Sequence, residues 1–175
     1  MARNCHKAVY NAVELNGLHP VYLMPPIDEA SGICGSIQPE QIKTAGNDNP
    51  EARLIIITSP TYEGVVSDIG EICRIAHEKG IPVLVDAAHG AHFGFSDYFP
   101  KNPLACGADI VITSVHKTLP ALTQCALAHV NGSLIDDSKL ASELAIFQTS
   151  SPSYVLMASI DSCLRLLEGE GTALF

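Results

Sequence analysis

Ser114-Val115-His116-Lys117 places a hydroxyl, an imidazole and an amine at the end of an apolar run. That run, residues 108–113, reads as a buried strand, and Thr118-Leu119-Pro120 breaks it. A lysine delivered there loses solvation, which disfavours its ammonium form and fits it for imine chemistry. Upstream, Val83-Leu84-Val85-Asp86 is a second apolar strand ending in a carboxylate, followed by Ala87-Ala88-His89-Gly90. A carboxylate opposite a cationic ring nitrogen keeps its charge at low cost and keeps the ring protonated. The two strand ends together fit a pyridoxal-phosphate site, with Lys117 forming the Schiff base and Asp86 holding the pyridinium nitrogen.

Each residue also has a plainer reading. Lys117 alone would be a solvated lysine at a strand end, and Asp86 a turn former or helix cap. No helix start follows Asp86, however, since residues 87–94 read as a loop. Polar groups closing an apolar strand are also costly unless they find partners. A zinc reading of His89, His92 and His116 is weak, because no Cys or carboxylate sits at ligand spacing beside His89 and His92. Ser114 lacks the G-x-S-x-G surroundings of a nucleophile elbow. With His116 it reads as polar lining of a phosphate or substrate pocket. His6, on the first helix, reads by position alone as a surface histidine.

The elements that must carry these groups alternate. Residues 5–16 have helical apolar spacing and stop at Gly17. Residues 20–24 read as a short strand running into Pro25-Pro26, and 27–37 as loop. Pro39 opens a short helix to about Ala45, and residues 46–50 form a turn cluster. Residues 53–58 are a buried strand and 59–64 the loop beyond it. Ser67 or Asp68 caps the next helix, with Glu71 completing a capping box and Gly80 ending it. Strands at 82–86 and 109–114 follow, then residues 125–130 with the turn Asn131-Gly132, and helices near 136–147 and 152–167. This alternation implies one α/β domain, a three-layer α/β/α arrangement around a mostly parallel sheet. Ligands bind such sheets at the carboxyl ends of the strands, where Thr61, residues 86–89 and residues 114–117 lie.

Composition narrows the function. The chain has 175 residues, 47% hydrophobic and 17% charged, enough for one sizeable core. A formal net charge of -9 without any basic stripe argues against nucleic acid as a partner. Six cysteines stand singly, with no C-x-x-C pair, as reduced thiols of a cytosolic protein do. No signal segment and no apolar run of about 18 residues is present, so a soluble, cytoplasmic protein with no membrane partner is expected.

Five segments occur in an order that resembles a known family. They are Arg3-Asn4-Cys5-His6-Lys7, Thr58-Ser59-Pro60-Thr61-Tyr62-Glu63-Gly64, Asp86-Ala87-Ala88-His89-Gly90-Ala91-His92-Phe93, Ser114-Val115-His116-Lys117-Thr118-Leu119 and Gln148-Thr149-Ser150-Ser151-Pro152-Ser153-Tyr154. Together they resemble the ornithine/lysine/arginine decarboxylases of the aspartate-aminotransferase fold, pyridoxal-phosphate fold type I. The resemblance implies that Lys117 is the Schiff-base lysine, Asp86 the partner of the pyridine nitrogen, and His6 the imidazole stacked on the ring. It implies that Ser114 and His116 contact the phosphate side, Ala88 packs on the ring and His89 stands beside it. Thr61 would lie near the ring, and residues 149–151 would reach the neighbouring subunit's cofactor in a homodimer. His116 or Lys117 would return a proton to the α-carbon.

Two departures accompany the resemblance. The family usually has Asp-Glu-Ala-His where this chain has Asp86-Ala87-Ala88-His89. The Ser/Thr- and Gly-rich phosphate loop upstream, and the C-terminal domain downstream, lie outside residues 1–175. The chain is therefore expected to be part of a pyridoxal-phosphate-binding major domain, with little activity in isolation. The implied activity is decarboxylation of arginine, lysine or ornithine to a polyamine precursor. Another fold type I aminotransferase or lyase, or an inactive truncated form, are the alternatives.

Overall fold

Residues 1–174 are described in a computed structural model, in which four strands form one sheet. The strands are β1 (Ile55–Thr58), β2 (Val83–Asp86), β3 (Ile110–Ser114) and β4 (Ala126–Val130), in that spatial order. β1, β2 and β3 are parallel, with Thr58 opposite Asp86 and Asp86 opposite Ile112. β4 runs antiparallel to β3 and pairs Ala126 with Ser114. Only residues 115–125, with one helical turn, connect β3 to β4. Such a connection favours a reversal over a crossover helix.

The helices are α1 (Lys7–Leu15), α2 (Pro39–Asp48), α3 (Ile69–His77), α4 (Val115–Thr118), α5 (Asp137–Phe147) and α6 (Tyr154–Leu174). Asp68 caps α3, its carboxylate accepting from the Glu71 N–H at 3.1 Å. Gly80 follows with φ +67°, a conformation glycine adopts without a Cβ clash.

Two expectations shift. Helix α2 runs past Ala45 through Gly46-Asn47-Asp48, where a turn was expected. Gly46 is buried beneath the Lys79 side chain, whose Nζ donates to Asn47 Oδ1 at 2.7 Å. That tertiary contact outweighs the poor helix propensity of Gly and Asn. Residues 20–24 do not form a strand; Leu23 makes a single parallel bridge to Ala2. Pro20, Pro25 and Pro26 supply no N–H around it, so no ladder extends.

Strand alternation sends side chains to two unequal faces. Ile57, Val83, Val85 and Val111, all 0% exposed, pack with Ile42 of α2 and with Ile72 and Cys73 of α3. The other face carries Ile56, Thr58, Leu84, Asp86, Ile112 and Ser114, all only partly buried. Helix α1 walls that face, giving helices to either side of a mostly parallel sheet. Helix α6 packs separately, through Cys163 and Leu167, on Val115, Leu119 and Cys125. The six thiols are free, four of them buried. Among the described residues, no helix is long and apolar enough to cross a membrane.

Candidate active site

The carboxyl ends of the three parallel strands open on the partly covered face, into a cavity of about 690 Å³. Its floor is Ile56, Thr58, Leu84, Asp86, Ile112 and Ser114 from the sheet. Thr61, Tyr62, Glu63, Ala88 and His89 come from the loops that follow β1 and β2, and Lys117 from α4. Asn4, His6 and Val9 close it from the side of α1. A volume in the range of about 300–1,000 Å³ with apolar walls and few polar groups is that of a small-molecule site.

The loops are fixed before any ligand arrives. The Ser59 hydroxyl accepts from the Ser67 N–H at 3.0 Å, and the Ser67 hydroxyl from the Ile37 N–H at 3.0 Å. Both bonds are buried, so the β1 loop is tied to the segment entering α2. A Cβ on Gly90 would stand 2.6 Å from Pro60 Cδ, so the turn after β2 needs glycine to sit against the β1 loop.

Lys117 lies on a helical turn rather than in an irregular break: Leu119 N–H donates to Val115 C=O at 3.0 Å. Its Nζ is 3.1 Å from His89 Nε2. An ammonium has no lone pair, so Lys117 donates and the His89 proton resides on Nδ1. Tyr62 meets the His89 ring edge-on, with centroids 5.3 Å apart. Asp86 Oδ1 accepts from the Ala88 N–H at 3.1 Å, and its carboxylate has no ion-pair partner among the described residues. Asn4 Oδ1 is buried without a hydrogen-bond partner among those residues, whereas the Thr58 hydroxyl meets the Cys5 thiol. Orphaned polar atoms of this kind cost about 1–3 kcal/mol each unless a ligand or water meets them. An amine, an unpaired carboxylate and one orphaned oxygen around apolar Ala88, Leu84 and Ile112 fit a planar heteroaromatic ligand with a ring nitrogen and a carbonyl.

Seven residues singled out in the sequence line this one cavity: His6, Thr61, Asp86, Ala88, His89, Ser114 and Lys117. His6 is the N-cap of α1 rather than part of the helix, and its Nδ1 accepts from the Ala8 N–H at 3.2 Å. Two others lie elsewhere. His116 Nδ1 donates to the Cys125 carbonyl at 2.8 Å, and the side chain is not part of the lining. Thr149 is exposed between α5 and α6, also away from the lining. Asn4, Tyr62, Glu63 and Thr58 were not given roles from the sequence. Thr58 was legible only in part: it shares the phase of Ile56, but its register with Asp86 depends on a partner strand.

Burial pushes the His89 imidazole below its ordinary range, and the Lys117 ammonium adds to that shift. Asp86 and Glu63 oppose it more weakly. Burial also lowers His92 and His129. For each, the unfolded chain binds protons that the folded chain does not, between the free value near 6.5 and the lower folded value. Stability should therefore fall as pH drops below about 6.5. We expect a lower urea midpoint at pH 5.5 than at pH 7.5; equal midpoints would show that these imidazoles are not shifted.

Residues 1–173 match the model of the family described as Orn/Lys/Arg decarboxylase, major domain. The chain is 48% identical over 160 residues to the uncharacterized protein YaaO of Bacillus subtilis, covering 91% of this chain and 33% of that protein. It is 38% identical over 172 residues to an arginine decarboxylase of Bacillus cereus, covering 98% of this chain and 37% of that one. The crystal structure of the Francisella novicida lysine decarboxylase LdcF matches 97% of this chain and 25% of its own, with TM-score 0.80 and 24% identity, which shows the shared fold. The chain thus spans about a third of the length of these two curated relatives. With a match that runs over all but the last residues, the chain belongs to the Orn/Lys/Arg decarboxylase family.

Proposed function

We propose that the chain is the major-domain core of a pyridoxal-phosphate-dependent decarboxylase of a basic amino acid. The observation that carries this reading is the convergence of Lys117, Asp86 and His89 on one cavity, with the Lys117 amine 3.1 Å from His89 Nε2. Bound there, pyridoxal phosphate supplies the electron sink that lets carbon dioxide leave the α-carbon.

Lys117 Nζ is the amine that holds the cofactor covalently. Asp86 holds a negative charge where the ring nitrogen sits and keeps that nitrogen protonated. His6 and Ala88 would hold the ring between them and Thr61 would meet it from the same lining. Ser114 and His116 serve the phosphate side, His116 with its Nδ1 anchored to the Cys125 carbonyl. Lys117 would return a proton to the α-carbon, its amine oriented by His89 Nε2 at 3.1 Å.

The whole enzyme is a homodimer in this reading. Ile146, Phe147, Tyr154 and Val155 are 70%, 84%, 81% and 67% exposed on either side of residues 149–151. Exposed apolar side chains of that kind support a protein interface there, and in this reading Thr149 serves a second subunit. Free thiols agree with a cytoplasmic location.

Relatives named arginine decarboxylase favour this chemistry over amino transfer. The full-length protein should release carbon dioxide and the matching amine from arginine, lysine or ornithine, with no need for a 2-oxo acid. A 2-oxo acid requirement, with an amino acid formed from it, would move the protein to the aminotransferases.

A further inference from the structure

The cavity holds one carboxylate besides Asp86: Glu63, in the loop after β1. Residues 61–65 form a pinned turn. Gly64 N–H donates to Thr61 C=O at 3.1 Å, Thr61 N–H to Val65 C=O at 2.9 Å, and Val65 N–H to Thr61 Oγ1 at 3.2 Å. Gly64 has φ +88°, the left-handed conformation that closes the turn. Tyr62 and Glu63 are carried on it, both exposed and both lining the cavity, so they stand at its mouth.

Glu63 is without a cation of its own among the described residues. Their ion pairs are Arg74 with Glu71 and Glu78, His77 with Asp109, and Arg165 with Asp161. Glu63 nevertheless acts on the interior of the site, since its charge opposes the lowering of the His89 imidazole. A basic amino acid carries two positive groups, the α-amine and the side-chain terminus. The α-carbon must sit beside Lys117, so an extended side chain leads away from the floor, toward the mouth. The flat Tyr62 ring, edge-on to His89, offers its methylenes an apolar wall.

We propose that Glu63 binds the cationic terminus of the substrate side chain at the cavity mouth, and is thereby a specificity-determining residue. The inference rests on the functional reading above and adds the residue that tells a basic amino acid from a neutral one of the same shape. A charge-assisted bond from a guanidinium or ammonium to a fixed carboxylate is among the stronger polar contacts.

The test compares wild type with Glu63→Gln and Glu63→Asp in the full-length, pyridoxal-phosphate-loaded protein. The substrates are arginine, lysine and ornithine, with citrulline and norleucine as uncharged analogues. For the best basic substrate, Glu63→Gln should raise KM on the order of tenfold, with most of the effect on KM rather than kcat. The neutral analogues should show no matching loss, and Glu63→Asp should recover part of it. Equilibrium dialysis of agmatine or cadaverine into the unloaded protein should show weaker binding by the same order. Glu63 is exposed, so its substitution leaves the core intact. Unchanged KM or unchanged amine binding in Glu63→Gln overturns the assignment of Glu63 while leaving the decarboxylase reading in place. Equal losses for charged and neutral substrates overturn it too, since shape and not charge would then be read. No turnover of any basic amino acid by wild type overturns the functional reading and this one with it.

Discussion

Replacing Lys117 by alanine should lower turnover by at least about 10³-fold and remove the borohydride-stable label that pyridoxal phosphate leaves on the protein. The expectation follows from where the amine is held. Strand β3 ends at Ser114, and one turn of helix carries Lys117 over the cavity, its Nζ against His89. The remaining lysines have other surroundings; Lys79, for example, donates to Asn47 beneath α2. Lys117→Arg separates charge from chemistry, because a guanidinium stays charged and does not condense with an aldehyde. It should be as inactive as the alanine variant. Peptide mapping after reduction gives the direct answer: label on Lys7, Lys79 or any lysine other than 117 would falsify the assignment.

The second large effect concerns charge alone. Asp86→Asn keeps a side-chain oxygen to accept from the Ala88 N–H, the bond seen at 3.1 Å, so the turn after β2 should survive. What disappears is the negative charge on the cavity floor. A ring nitrogen facing an amide is no longer held protonated, and the electron sink weakens. Turnover should fall on the order of 10²–10³-fold, as when one preorganised electrostatic contact is removed elsewhere. Cofactor content, read from absorbance, should fall far less, because Lys117 still provides the covalent link. Parallel losses of cofactor and turnover would make Asp86 a binding residue only, and unchanged turnover would remove it from the mechanism.

The chain's local chemistry decided a good deal. Continuous apolar runs located β1, β2 and β3 to within about two residues, since burial on both faces of a parallel sheet leaves that pattern. Asp68 announced the start of α3, because capping is a contact between near neighbours in sequence, while the Glu71 carboxylate expected to complete a capping box turns to Arg74 instead. Asp86 and Lys117 stood out for a related reason: a polar group at the end of an apolar strand needs a partner, and the need is visible before the partner is.

What the tertiary structure alone decided is the set of partners. Thr58 and Asp86 share a face because β1 and β2 pair in one particular register, which neither strand encodes by itself. His89 and Lys117 meet at 3.1 Å across 28 positions of sequence, because the loop after β2 and the helical turn after β3 lie side by side at the carboxyl ends of paired strands. Helix α2 extends through Gly46 because Lys79 covers it from the loop after α3, against local propensity. His116, one residue from Lys117, turns its Nδ1 to the Cys125 carbonyl; on a helical turn adjacent side chains point about 100° apart, so one neighbour enters the cavity and the other does not. Sequence pattern reports how each residue meets solvent or core, whereas a site is made of contacts between residues far apart in the chain, and those exist only once the sheet has fixed its register and the loops have closed over it.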